Sequence, residues 1–220
     1  MPDRSEKESN KPYHHGDLRN ALIQSAVNIL QVEGLHGLTL RKTAARAGVS
    51  HSAPYRHFAS KEALIAEICR IGFQELGDRG HRYIKKYRTA SDRLKAYGLA
   101  YVEYASENPT HFRLMFGQSE MEMEDYPELH TTATSTFQLL VQLVADCQAD
   151  GTFESGDPHK LAAANWAYVH GLAHLLVDQK LNWLLDTSRG KQTTEPDAPE
   201  RARLLWNQMD SLLMQGLNKA

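Results

Sequence analysis

Two cysteines in 220 residues, Cys69 and Cys147, are too few and too far apart in sequence for a disulfide framework. Each falls in an amphipathic helical pattern, so both read as reduced core thiols. No apolar run approaches the length of a membrane span, and the polar start MPDRSEKESNK resembles neither a secretory signal nor a transit peptide. A cytoplasmic protein with no membrane partner is expected. Strand-like alternation, internal repeats and a glycine-rich phosphate loop are also lacking. The histidines show no tight metal spacing, since His14 and His15 are adjacent and His81, His111 and His130 are scattered. No cofactor, resident metal or catalytic residue is expected.

What the chain has is helical periodicity throughout, which predicts an all-α protein with a small head and a larger body. Residues 1–12, charged and polar with Pro2 and Pro12, read as a flexible arm. The head is expected over 13–60 and the body over 61–220. From Asn10 to Lys61 seven basic residues face two acidic ones, a local charge of +5 in a chain whose net charge is −2. A basic head on an acidic body is the electrostatic footprint of a protein that meets phosphate at one end.

The most informative stretch is GLHGLTLRKTAARAGVSHSAPYRHFASKEAL, residues 34–64. Thr39 can cap a short helix whose Leu40, Ala44 and Ala47 share one face, while Arg41, Lys42 and Arg46 point elsewhere. Gly48 suits the left-handed end of that helix, and Ser50 can cap a second one. This second helix, expected over Ser50–Phe58, would pack through Ala53 and Phe58 and offer His51, Ser52, Tyr55, Arg56 and His57 to a partner. Pro54 would shorten or shift its start. Ser60 can cap a third helix, with Glu62 suited to its positive end and Lys61 placed to join an anion there. Two short helices around a glycine corner are the arithmetic of a DNA-reading helix-turn-helix.

The run Gly34–Ser50, followed by Tyr55, His57, Phe58, Ser60, Lys61 and Leu64, resembles the TetR (tetracycline-repressor-type) family of bacterial transcriptional regulators. Tyr13-His14-His15-Gly16-Asp17-Leu18-Arg19 resembles the start of that family's first helix, and the likeness covers about the first third of the chain. The resemblance implies that Thr39, Tyr55 and Lys61 hold phosphates and that Ser50 and His57 support the same backbone contacts. It also implies that His51 and Ser52 face base edges, with Arg41 and Lys42 touching bases or phosphates. The implied partner is double-stranded DNA, an inverted-repeat operator with half-sites about 34 to 36 Å apart or a multiple of that. Release from DNA by a small-molecule effector is the usual family outcome.

In the body, Asp157 and Pro158 can start a helix from Lys160 to about Trp183 that is apolar nearly all round and so needs cover on more than one side. A mobile linker is expected over 183–199, before a final helix with Leu205, Met209, Leu212 and Gly216 on one face. Paired with the same two helices of a second copy, these would form a four-helix bundle. The expected homodimer interface comprises Leu172, Leu175 and Leu176 on the first helix and Leu205, Met209, Leu212 and Gly216 on the second. The alternative is that both helices close the monomer's own core. The TetR resemblance implies the dimer, and Trp166–Gly171, with His170-Gly171, resembles a ligand-domain pattern seen in part of the family.

The effector would sit among Tyr97, Tyr101, Phe112, Met115, Phe116, Phe137, Tyr168 and His170, which come from segments expected to converge on one interior. Packed core is the competing use for such aromatic residues. Two other functions compete with the ligand-responsive regulator. One is a helical metal-dependent enzyme using His170, His174 and Asp178; the other is a DNA-binding protein without a ligand.

Overall fold

The computed structural model describes residues 15–117, 121–181 and 197–217. Among these there are eight α-helices, two short 3-10 turns and no strand. The helices are α1 (His15–Gly37), α2 (Leu40–Arg46), α3 (Lys61–Ile84), α4 (Ala90–Glu107), α5 (Pro109–Phe116), α6 (Pro127–Ala149), α7 (Pro158–Val177) and α8 (Ala198–Leu217). The chain divides into two compact units between Leu64 and Ile65. The arm expected over 1–12 lies outside the described residues, as does the linker up to residue 196.

The first unit is made of short pieces with well-marked ends. α1 loses its helical path at Gly34, whose φ of 69° is left-handed, and Leu22, Ile23, Ala26 and Leu30 are buried at helical spacing. Thr39 caps α2 by accepting from the Lys42 N–H at 3.1 Å. α2 ends at Gly48, φ 70°, where the Gly48 N–H donates to the Ala45 carbonyl and the Val49 N–H to the Ala44 carbonyl. That bond pair is the Schellman arrangement, which requires a left-handed residue where Gly48 stands.

The second unit is organised around α4, which packs against α5, α6, α7 and α8. Its run from Ala96 to Ala105 is buried at nine positions, so α4 is covered nearly all round. Thr89 caps it, accepting from the Asp92 N–H at 3.1 Å while its hydroxyl donates to the Asp92 carboxylate at 2.7 Å. A core cluster joins Ile84, Tyr97, Leu140, Val141 and Val144. The glycines of α3 do not interrupt that helix. Gly80 faces the Tyr97 ring so closely that a Cβ would collide with it, and Gly72 seats the Met115 side chain. They are close-approach positions.

Glu103 on α4 is the most deeply buried charge among the described residues of the body, 1% exposed. It accepts from the Tyr83 hydroxyl and from Arg203 at 2.8 Å and 2.6 Å, with the Arg79 guanidinium 4.0 Å away. A carboxylate so enclosed is tolerable because its oxygens are matched by donors. The network ties α3, α4 and α8 together, and Trp206 adds to it by packing closely against Gly98.

Three expectations in this unit are corrected. α7 starts as foreseen, Asp157 accepting from the His159 N–H at 2.9 Å, but ends at Val177 rather than near Trp183. Its end is a second Schellman arrangement, with Gln179 at φ 57°. Residues 197–199 are not linker: Asp197 caps α8, accepting from the Glu200 N–H at 2.9 Å. Leu172 and Leu205, expected at a dimer interface, are 2% and 3% exposed within the single chain and belong to its core. The side chains of Met209, Leu212 and Gly216 lie outside the described ones.

Candidate functional site

In the first unit the polar residues expected to meet DNA remain on the surface. Thr39, Arg41, Lys42, Ser50, His51, Ser52 and Tyr55 are exposed, and His57 and Lys61 are half-buried. Tyr55 stands out at 60% exposure for a large ring, while its neighbours Pro54 and Phe58 are buried. The segment is therefore anchored on one side and open on the other.

The reading helix differs from expectation. Residues 51–53 are turns, and only Pro54–Arg56 forms a 3-10 turn. Pro54 has no N–H to give to the Ser50 carbonyl, which takes the Ala53 N–H at 3.0 Å instead. Helical bonding resumes with the Pro54 carbonyl, which receives the His57 and Phe58 N–H groups at 2.9 Å each. Ser50 does not cap with its side chain; its hydroxyl lies 3.3 Å from that of Ser52. Ser60 does cap α3, accepting from the Ala63 N–H at 3.2 Å. Hydrogen bonds from the backbone and from Ser60 hold the Glu62 carboxyl below its ordinary value.

One charge in this face is already engaged. Lys42 forms an ion pair with Glu33, a contact the spacing of the motif does not reveal because the partner lies on α1. Arg41 and Arg46 are exposed, and Arg19 sits over the Phe58 ring at 5.4 Å.

The second unit encloses a cavity of about 340 Å³. Tyr97, Tyr101, Met115, Phe116, Phe137 and Tyr168 line it, as the sequence suggests. Phe112 and His170 do not. Phe112 is completely buried behind the wall, with its ring 5.9 Å from that of Tyr101 and 5.1 Å from that of Phe116. His170 stands behind Tyr101, its Nδ1 2.7 Å from the Tyr101 oxygen. The Trp166 N–H donates to that same oxygen at 3.2 Å, which leaves the tyrosine proton for the histidine nitrogen. Burial and the nearby His174 push His170 down to about 4, so the ring is neutral at pH 7. Burial likewise raises the Tyr97 and Tyr101 hydroxyls above their ordinary values.

Sequence reasoning missed several lining residues, among them Phe73, Lys95, Phe153, Trp166 and Trp206. Phe73 and Trp206 are 133 positions apart, so no local pattern unites them. Of the trio His170, His174 and Asp178, the two histidine rings lie 4.5 Å apart between centroids while the carboxylate is engaged elsewhere. Asp178 pairs with Arg113 at 3.0 Å, and among the described residues no three His, Cys, Asp or Glu side chains gather around one point. The two thiols are buried, with Cys69 raised to about 12 and Cys147 to about 11 by burial. No helix among the described residues is long and apolar enough to cross a membrane.

Comparison with known proteins accounts for both units. Residues 22–68 match the model of the bacterial regulatory proteins of the tetR family, and residues 94–194 match a tetracyclin repressor-like C-terminal domain. The chain belongs to the TetR family. Among curated relatives, the nucleoid occlusion factor SlmA of Pectobacterium carotovorum is 30% identical over 121 residues, 55% of this chain and 60% of the relative. The chain thus spans about 60% of the length of the curated relatives it matches. A protein of unknown function from Rhodococcus sp. RHA1 is similar at a TM-score of 0.74 and 29% identity, covering 94% of this chain and 99% of that one. The fatty acid degradation regulator FadR from Bacillus halodurans shares the fold at a TM-score of 0.69 and 17% identity, over 93% and 98% of the two chains.

Proposed function

We propose that this TetR family chain acts in the cytoplasm as a homodimeric repressor, not an enzyme, that reads an inverted-repeat operator and leaves it when a small molecule fills the body cavity. The head of the proposal covers 13–60 and the ligand-binding and dimerisation region the remainder. The observation that carries the DNA reading is the exposed Tyr55 on a segment anchored by Pro54 and Phe58, in a unit where Thr39 is exposed as well. Thr39, Tyr55 and Lys61 hold phosphates there, Ser50 and His57 support them, and His51 and Ser52 meet base edges. Arg41 is a further DNA contact; Lys42 must first leave Glu33.

Dimer formation is supported by the uncovered side of α7. Leu175 is 44% exposed and Leu204 on α8 is 38% exposed, and open space lies where a Gly171 side chain would be. A second copy of the two helices would cover this surface, with Leu175 and half-buried Leu176 in it; Met209, Leu212 and Gly216 of α8 are the further residues proposed for that interface. Two heads then engage two half-sites, which gives one short reading segment the specificity it lacks alone.

The cavity supports an effector, since its volume falls within the roughly 300–1,000 Å³ of ligand pockets and its wall is largely apolar. A ligand that prefers one arrangement of the body shifts the population away from the DNA-binding state. A second reading, DNA binding without a ligand, draws on the similarity to a nucleoid occlusion factor.

Selection of bound duplexes from a random pool tests the reading directly. An inverted repeat is expected, with binding that falls steeply with salt. Lys61→Ala should weaken all sequences alike and reduce the salt slope by about one per head, while His51→Ala should change the preferred bases. Recovery of no symmetric site by a folded protein rejects the operator, and a monomer at micromolar concentration in sedimentation rejects the dimer.

A further inference from the structure

We propose that the effector is a neutral, compact phenol, a molecule of two or three fused or linked rings whose one hydroxyl donates a hydrogen bond to the Tyr97 oxygen. This rests on the reading of the cavity as the effector site. Nine of the eighteen Phe, Tyr and Trp residues of the chain line this one cavity, offering ring faces and edges that suit a flat apolar body. Its size, about 340 Å³, is at the small end of the roughly 300–1,000 Å³ range of ligand pockets, which excludes an extended chain with a bulky head lying wholly inside.

The protons of the wall decide what the ligand must bring. Tyr97 and Thr136 both line the cavity, and the Tyr97 hydroxyl lies 2.8 Å from the Thr136 main-chain carbonyl, which has no proton to give. The Tyr97 proton is therefore committed to that carbonyl, and burial, by raising the hydroxyl above its ordinary value, keeps it there at neutral pH. Only lone pairs are left on the oxygen, so a ligand can bond it only by donating. An ether or ketone oxygen brought to the same place would face another acceptor. Elsewhere on the wall Tyr101 is held between Trp166 and His170, and the Asn165 amide gives one N–H to the Leu161 carbonyl at 3.0 Å. A highly hydroxylated molecule would lose its water among these groups without replacement, which limits the ligand to one polar group.

Charge gives the ligand nothing to gain. Among the described lining residues no carboxylate is present, and the one formally charged side chain, Lys95, already has an interaction partner within the protein. An organic cation finds no counter-ion there, and an organic anion must compete for a lysine that is engaged. Either ion would give up its water to a mostly aromatic wall, whereas a neutral ring system loses little.

Three probes of similar shape test this: 4-phenylphenol, 4-methoxybiphenyl and biphenyl-4-carboxylate, titrated into the full chain by calorimetry and by quenching of tryptophan fluorescence. The phenol is expected to bind about fivefold tighter than its methyl ether, and the carboxylate most weakly. Tyr97→Phe should bring the phenol down to the ether's affinity with the ether little changed. If that variant does not fold, the order of the three probes on the unaltered chain decides alone. An ether that binds as well as the phenol, a carboxylate that binds tighter, or a folded Tyr97→Phe protein that keeps the preference overturns the phenol while leaving the cavity as an effector site. Failure of all three probes overturns the cavity reading itself, while the DNA reading stands or falls on its own duplex selection.

Discussion

The two compact units are built by different means. In the first, each helix end carries its own signal within a few residues: Gly34 breaks α1, Thr39 caps α2, Gly48 closes it and Ser60 caps α3. In the second, the decisive contacts join distant positions, as where Trp206 covers Gly98, Glu103 meets Arg203 and Tyr97 reaches the Thr136 carbonyl. A small DNA-reading module can be specified by local chemistry because its job is to hold a few side chains at a set angle. A chamber must be closed by whatever residues come together from several helices, so its specification is spread along the chain.

The difference can be broken first where it is largest. Phe112 carries no local signal beyond a helical position, yet it is completely buried among the Tyr101, Phe116, His170 and His174 rings. Phe112→Ala should cost about 3–5 kcal/mol, read by urea denaturation of the body. A loss below about 1 kcal/mol would return Phe112 to the cavity wall, since a ring facing an open space is less costly to truncate.

Gly98→Ala should have the next effect. A methyl group there would run into the Trp206 ring, and moving that ring should cost about 1–3 kcal/mol and shift tryptophan emission. Unchanged stability and emission would mean that α8 is free to back away. That outcome would weaken the picture of a body locked by distant contacts.

Legibility follows the same division. The glycine at 48 could be read from sequence because the left-handed conformation is dictated by the backbone, and the caps at Thr39 and Ser60 because their partners are three residues on. The reading segment is not the helix that its pattern over Ser50–Phe58 predicts because Pro54 does more than shorten it, removing the donor that the first turn needs. Six of the eight expected cavity residues do line it, while Phe112 and His170 fall behind the wall because helical spacing gives a face but not the depth at which a neighbour intervenes. The part played by Gly72 and Gly80 in α3 has no local signal, since only the structure brings Met115 and Tyr97 against them. Lys95, which the structure places on the cavity lining, looks like any surface lysine in sequence.

The smallest effect tests whether local signals are confined to the first unit. α2 and α7 end in the same Schellman arrangement, with Gly48 at φ 70° in one and Gln179 at φ 57° in the other. Gly48→Gln would place a side chain in a conformation that costs it about 1 kcal/mol, although nothing lies within 4 Å of the new Cβ. Gln179→Gly should reverse the sign, raising stability by about 0.5 kcal/mol after the extra freedom glycine has in the unfolded chain is counted. Both are read as shifts of the denaturation midpoint with an unchanged slope. If Gln179→Gly destabilises instead, the glutamine is engaged in the body through its side chain. The end of α7 would then be held by distant contacts, like the rest of that unit, and not by its backbone turn.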